Sequence, residues 1–424
     1  MIGIYQSDFT NLRDLLEGLA SSMNLISHET AHHHETTAYL SYQIALAMNL
    51  PEEERKMAVY TSLLHDIGAI AEESVPSVAD LENDRFRISR IGAAMLKDID
   101  MLREIADYVE FCQISWQDLC GIRKDRLKMQ YVPSVVHLAD TIATMLNEDM
   151  PILNQVTEFR SAAMCMRGTE FAEAAVDGFL KLCSEEYVWM DAAHNPEYLR
   201  YFAGKMRTAT LRETLELTKL MSRMIDYRSP FTAMHSSGVS ASAAALAELC
   251  GMSENECMMM EIAGNLHDIG KLKVPRTILE KPGKLTEEEF NIIKEHPYYT
   301  RDILMKIEGF DEIADWAGFH HEKLDGTGYP FHLTSDDLGA GCRIMAVADV
   351  FSAIAEDRPY RKPMGREKII AVLREDADRR HLAKPIVDVL IKNYEYIDQR
   401  RDTVSHAAGR HYFETLKESE ADLS

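Results

Sequence analysis

Positive charge is scarce in this sequence. Lysine and arginine number 46 against 69 aspartates and glutamates in 424 residues, for a formal charge of -23. Binding along a nucleic-acid duplex or an anionic membrane needs a basic face, so DNA and lipid surfaces are excluded as main partners, while a local basic pocket is not. Long apolar runs are missing as well. No stretch reaches the roughly 18 residues of a membrane span, so no membrane insertion is expected. The N-terminus, MIGIYQSDFTNLRDLLEGL, has no basic-then-apolar leader pattern, which predicts a cytoplasmic location. The seven cysteines (Cys112, Cys120, Cys165, Cys183, Cys250, Cys257, Cys342) form no CxxC pair. That argues against a disulfide framework and a thiolate zinc site, and predicts that they pack as small hydrophobes. Strand-type alternation is absent too, apart from a short extended piece at Lys273-Val274-Pro275.

Helical spacing fills most of the chain instead, as in Leu12, Leu15, Leu16 and Leu19, or Leu217, Leu220, Met221, Met224 and Ile225. The fold class is therefore all-α. Capping-box pairs at Thr210/Glu213, Ser253/Glu256 and Thr286/Glu289 mark helix starts, and Gly270 stands where a helix ending in LHDIG should stop. The length calls for more than one domain, since single cores stop growing near ~250 residues.

Self-similarity supplies the division. LLHDIGA (63 to 69) and NLHDIGK (265 to 271) lie 202 residues apart, and His33 precedes His65 by the same 32 residues that separate His235 from His267. Downstream, VVHLADTIATM around Asp140 matches IMAVADVFSAI around Asp349. The reading is two tandem copies of one helical bundle: residues 1–150, a helical linker over 151–207, a second copy over 208–400, and a polar tail over 401–424.

In the second copy, His235, His267, Asp268, His296, His320, His321 and Asp349 form a set of five imidazoles and two carboxylates. Without a thiolate, such a set suits a borderline-hard divalent ion such as iron or manganese. Seven donors are too many for one ion and fit two, with Asp268 bridging. His267-Asp268 falls at a helix end, and His296 precedes Pro297, where the chain is biased away from helix. Lys271 would bring a cation beside the ions, and Arg358 and Arg361 offer planar donors for a phosphate or a guanine edge. Any one of these residues alone reads as an ordinary hydrogen-bonded core residue. The whole ordered set does not.

The segment from His235 to Arg361 resembles the HD-GYP family of cyclic-dinucleotide phosphodiesterases, through HDIGK (267 to 271), KPGKL (281 to 285), HHE (320 to 322), DGTGYP (325 to 330) and RPYR (358 to 361). The resemblance implies an all-helical HD bundle that opens cyclic di-GMP to pGpG, and in some members cuts on to GMP. It implies metal binding by the seven residues above, Asp268 and Lys271 as catalytic groups, and substrate contacts from Lys271, Tyr329, Arg358 and Arg361. The implied mechanism is in-line attack by a hydroxide bridging two metals. A third metal, held in some members by a glutamate four residues before the first histidine, is not expected, because Phe231 stands there. Gly238 in place of a commonly basic residue, and Ser352 in place of a usual Asp, bear on substrate preference. Cyclic GMP-AMP is a competing substrate, and a receptor of cyclic dinucleotides with little turnover is the rival of a different class. A homodimer and a protein partner at the GYP loop are further assemblies that the sequence leaves open.

The first copy keeps His33, His65, Asp66 and Asp140, a donor set sufficient for one metal. It has Ala69 where the second copy has Lys271, Ile88 near the place of His296, and Cys112-Gln113 where His320-His321 stand. A regulatory or dimerising role, or a single-metal phosphohydrolase, are the two readings for it.

Overall fold

The computed structural model describes residues 8–25, 32–72, 81–122, 127–194, 207–228, 235–281, 283–356 and 364–421. Their regular structure is helical, as the periodicity predicts, apart from one short antiparallel pair, Asp8–Asn11 with Thr208–Thr210, and two isolated bridges. The pair was not legible in the sequence, because neither segment is long enough to show alternation. No helix among the described residues is long and apolar enough to cross a membrane.

Numbering the helices of eight residues or more in chain order, α1 is Leu12–Asn24. It is followed by α2 His33–Ala47, α3 Glu52–Leu64, α4 Leu81–Lys97, α5 Arg103–Phe111 and α6 Tyr131–Met145. Next come α7 Ile152–Cys165, α8 Glu173–Leu182 and α9 Glu186–His194. After the short second strand come α10 Leu211–Arg228, α11 His235–Leu249, α12 Glu254–Leu266, α13 His296–Leu304 and α14 Asp311–Gly318. The last are α15 Ala340–Ala355, α16 Arg366–Asp378, α17 Lys384–Lys392 and α18 Tyr394–Ala421.

By its contacts the chain divides into Leu19–Arg207 and a second unit made of Met1–Gly18 with Thr208–Ser424. Residues 151–207, read from sequence as a linker, thus count inside the first unit. Their helices pack there: the Thr36 hydroxyl donates to Ala192 O at 3.2 Å, and a Cβ on Gly178 would meet Met48 Cγ at 2.7 Å. Residues 1–18 count with the second unit, where Phe9 lies 6.0 Å from the ring of Phe310. The polar tail is not loose at its start, since α18 runs through it and buries Arg401 and Ser405.

Each unit is built around one helix covered on nearly every side. In the first it is α2, packed by α3, α6 and α8; in the second it is α11, packed by α12, α15 and α18. A helix buried all round has no apolar stripe, and α11 (HSSGVSASAAALAEL) meets this with small residues that let its neighbours come close. A Cβ on Gly264 of α12 would sit 2.5 Å from Ser240 Cα.

All three capping boxes form, at Thr210/Glu213, Ser253/Glu256 and Thr286/Glu289. Gly270 acts differently from the helix stop expected of it. The helix ends at Leu266, and Gly270 lies in the following 3-10 turn, where a Cβ would meet His296 O at 2.1 Å. The glycine is there for close approach. The cysteine expectation holds for Cys112 and Cys342, which are buried, but Cys120, Cys165 and Cys250 are exposed. The seven do not behave as one class.

The contact between α11 and α12 carries a direct consequence. Gly264→Ala should destabilise the second unit by about 1–3 kcal/mol, as overpacking against backbone does, and calorimetry should show its melting shifted down.

Candidate metal centre

The seven donors of the second copy come from different elements and converge. His235 opens α11, His267 follows the last residue of α12, and Asp268 leads into the 3-10 turn Ile269–Lys273. His296 opens α13, with Pro297 in its first turn. Proline before the first full turn favours a helix start, so the bias against helix expected at His296 is overridden. His320 and His321 follow the end of α14, and Asp349 projects from α15. All are buried except His321, whose side chain is 28% exposed and so faces the opening.

Three of the histidines are locked by one local device. The Nδ1–H of His267 donates to Gly264 O at 2.8 Å, that of His296 to Ile293 O at 2.7 Å, and that of His320 to Ala317 O at 2.6 Å. In each case the acceptor lies three residues back. The neutral ring then has its proton on Nδ1 and its lone pair on Nε2, turned inward. The consequence is a crowding of lone pairs: Nε2 of His296 and Nε2 of His320 face each other at 3.2 Å. His267 Nε2 and Asp268 Oδ1 are buried without any hydrogen-bond partner. Donors of this kind at these separations fit divalent ions with metal–nitrogen bonds of about 2.1 Å.

The donors fall into two groups: His235, His267 and Asp268, and His296, His320 and His321. Both carboxylates lie between the groups. Asp268 has Oδ2 3.3 Å from His267 Nε2 and Oδ1 3.3 Å from His296 Nε2, while Asp349 has Oδ1 3.3 Å from His235 Nε2 and Oδ2 3.8 Å from His321 Nδ1. Burial alone would raise a carboxyl, yet His267 and Lys271 hold Asp268 well below the usual range, and the bond from His235 does the same for Asp349. Burial lowers His296 and His320, and brings His321 down to about 3. Ionised carboxylates, and neutral imidazoles such as those of His296, His320 and His321, are the forms that bind metal.

Lys271 is not free: its ammonium lies 2.6 Å from Asp268 Oδ2. Tyr329 stands over the mouth, its ring 4.9 Å from that of His321. Arg358 and Arg361 of RPYR, and Phe231, lie outside the described residues.

Two residues absent from the sequence-level set prove to matter. Glu322 of HHE is buried, and its carboxylate accepts from Phe331 N at 2.7 Å and Leu333 N at 2.9 Å, pinning the GYP loop. A Cβ on Gly328 would lie 2.4 Å from Glu322 Cα, so this loop needs glycine there. Glu356 is the second. Its Oε2 accepts from His235 Nδ1 at 2.9 Å, so His235 is held by a carboxylate where the other three use a backbone carbonyl. Burial pulls His235 down, but Glu356 and Asp349 outweigh it and raise it to about 10. Gly238 makes room for this pair, since a Cβ would meet Glu356 Oε1 at 2.9 Å. The only sequence signal was the departure at Gly238, which bears on the packing behind His235.

The first copy also gathers its four residues: ligand atoms of His33, His65, Asp66 and Asp140 all lie within 4.8 Å of one another. A Cβ on Gly68 would meet Ile88 O at 2.0 Å, the counterpart of Gly270 against His296 O. Ile88 therefore occupies the place of His296. The Cys112 thiol donates to Val109 O at 3.1 Å, repeating the three-residue step of His320, and burial pushes it up to about 12, which keeps it a thiol.

The chain is similar to several known proteins. The family described as HD domain matches residues 219–384. Over 401 residues, 90% of this chain and 92% of the relative, the chain is 29% identical to 3'3'-cGAMP-specific phosphodiesterase 1 of Vibrio cholerae. It is 37% identical over 210 residues to the cyclic di-GMP phosphodiesterase response regulator RpfG of Xanthomonas campestris pv. campestris, spanning 49% of this chain and 55% of that relative. In fold it resembles the crystal structure of a cyclic GMP-AMP-specific phosphodiesterase from V. cholerae, with a TM-score of 0.62 at 20% identity, covering 91% of this chain and 98% of that one.

The carboxylate behind His235 can be tested by titration calorimetry with Mn(II). Glu356→Ala should weaken binding by about 10–100-fold, the usual effect of losing such a partner, while Glu356→Gln, which keeps an acceptor for Nδ1–H, should recover most of it.

Proposed function

We propose, from the premise that the chain is an HD-domain protein of the HD-GYP type, that it is a metal-dependent phosphodiesterase hydrolysing cyclic di-GMP to pGpG. The observation that carries this reading is the inward crowding of imidazole lone pairs around two buried carboxylates, with His296 and His320 Nε2 at 3.2 Å. A divalent cation held between them would relieve that arrangement.

In this reading His235, His267 and Asp268 would hold one divalent ion, iron or manganese, and His296, His320 and His321 the other, with Asp268 and Asp349 within reach of both groups. Two such ions would supply Lewis-acid polarisation of a phosphate oxygen and a water of lowered pKa. The protein's own part is positional. The carbonyls of Gly264, Ile293 and Ala317 fix three ring orientations, so the donors need no rearrangement. Lys271, one-fifth exposed and bonded to Asp268, keeps a positive charge at the edge where a phosphate would enter. Tyr329, pinned through Glu322, narrows the mouth beside His321, the one exposed donor. Arg358 and Arg361 are proposed as substrate contacts from the sequence alone.

A second reading, cyclic GMP-AMP as substrate, is favoured by one specific observation. The relative that matches across nine-tenths of both chains is named 3'3'-cGAMP-specific. The cyclic di-GMP enzyme RpfG matches about half. Nothing in the two-ion centre discriminates the bases, since its donors address phosphate.

Anaerobically purified protein reconstituted with Mn(II) or Fe(II) should convert cyclic di-GMP to a linear dinucleotide, read by chromatography beside a parallel cyclic GMP-AMP reaction. Product should need the metal and should disappear in Asp268→Ala. Binding without turnover under both metals would leave a receptor in place of an enzyme.

A further inference from the structure

We propose that the cavity beside Tyr329 holds one purine base of the cyclic dinucleotide, stacked on Phe290 and Tyr298, with Glu295 reading a guanine edge. The inference rests on the reading of the second unit as a cyclic-dinucleotide enzyme, and gives one base of that substrate a place.

The cavity measures about 600 Å³, the size of a small-ligand site, and lies wholly within the second unit. One wall is the short helix Glu287–Ile293 with the first turn of α13, and the other is the GYP loop. Four of the lining side chains are aromatic: Phe290, Tyr298, Tyr299 and Tyr329. Phe290 is 43% exposed and Tyr298 51%. A single exposed aromatic is ordinary, but several lining one cavity make a surface for a flat ligand. Phe290 meets Tyr329 at 80° and Tyr298 meets Tyr299 at 85°, so neither pair closes into a parallel stack of its own.

Both walls are held in register with the metal donors. Tyr298 follows His296 by two residues at the start of α13. Tyr329 N–H donates to His321 O at 3.3 Å, and its ring lies 4.9 Å from the His321 ring. The Phe290 ring is 6.0 Å from that of Tyr329. Two ring-to-ring steps thus lead from the exposed donor of the metal centre into the cavity, so a nucleotide with its phosphate at the metals has its base at hand here. The walls are also preformed. The Thr286/Glu289 capping box starts the short helix, and Asp325 Oδ1 accepts from Thr327 N at 3.0 Å and from Thr327 Oγ1 at 2.8 Å.

The charges fit a nucleotide better than an apolar ligand. The Lys294 ammonium lies 5.4 Å from the Phe290 ring centre, and that of Lys273 lies 3.8 Å from the Tyr299 ring centre and donates to its hydroxyl. Cations set on aromatic rings suit a base that carries phosphate with it. Glu295, on the same wall, would repel that phosphate unless it accepts hydrogen bonds from the ligand. Guanine offers two N–H donors on its Watson–Crick edge, where adenine offers one donor and an acceptor, so a carboxylate there favours guanine. Cyclic di-GMP and cyclic GMP-AMP both carry one.

Calorimetry on the full-length Mn(II)-loaded chain tests the slot with GMP and ribose 5-phosphate, which share sugar and phosphate and differ by the base. GMP should bind tighter by roughly tenfold or more, as base–aromatic stacking provides. Tyr298→Ala and Phe290→Ala should each cut that advantage and leave ribose 5-phosphate binding unchanged, and Tyr298→Trp should keep it. With cyclic di-GMP as substrate, the two alanine variants should raise KM more than they lower kcat. Equal binding of GMP and ribose 5-phosphate by the parent chain, or an advantage that survives both alanine variants, would overturn the slot whether or not cyclic di-GMP is hydrolysed. Loss of ribose 5-phosphate binding in those variants would overturn it too, since the rings would then be supporting the metals. A base advantage that the variants remove, in a chain that turns over no cyclic dinucleotide, keeps the slot and sinks the hydrolase reading alone. The parent should also prefer GMP to AMP, and Glu295→Gln should level the two. No such preference, or one indifferent to Glu295→Gln, would overturn the role of Glu295.

Discussion

Two buried carboxylates set the terms for the second unit. Asp268 and Asp349 are each nine-tenths or more removed from solvent, and a buried charge is tolerable only when it is paired and hydrogen-bonded. Five imidazoles and one ammonium surround them, and the packing of α11, α12, α13, α14 and α15 can be understood as the means of bringing those groups within 4 Å. The small residues of α11 and the bare backbone of Gly264 and Gly270 permit the approach. Bulkier residues would push the donors apart before any ion arrived.

What suits the cluster to holding a metal is the direction in which its imidazole Nε2 atoms are turned. In its neutral form, a histidine that spends its Nδ1 proton on a carbonyl three residues back has a lone pair left to offer inward. Four histidines across the two units do so, and Cys112 makes the same step with its thiol. The motif is thus a backbone geometry into which different side chains have been placed. It survives in the first unit even where the imidazole does not.

The divergence of the two copies follows the same logic. Gly68 and Gly270 meet the corresponding carbonyls at nearly the same distance, so the turns after the two His-Asp pairs are equivalent in backbone. What differs is the donor set around them: an isoleucine, a thiol and an amide in one, three imidazoles in the other. Gln113 turns an oxygen of Asp140 to hydrogen bonding, whereas the corresponding oxygen of Asp349 faces an imidazole. The first copy keeps the scaffold and half of the chemistry.

Most of this was legible in the chain itself. Helical spacing, capping pairs, the 202-residue repeat and the seven donors depend on local sequence, because apolar period, caps and residue chemistry are all properties of a few neighbouring positions. Even the inward lone pairs are local, each fixed by a carbonyl three residues away. Three things were decided only in the folded molecule: Glu356 behind His235 across 121 positions, the cavity that Phe290 and Tyr298 line with the GYP loop, and the packing of residues 151–194 within the first unit. Each depends on chain-distant groups meeting through packing, and no spacing rule encodes that. The sequence determined which atoms could bind an ion; the tertiary structure decided which of them face one another.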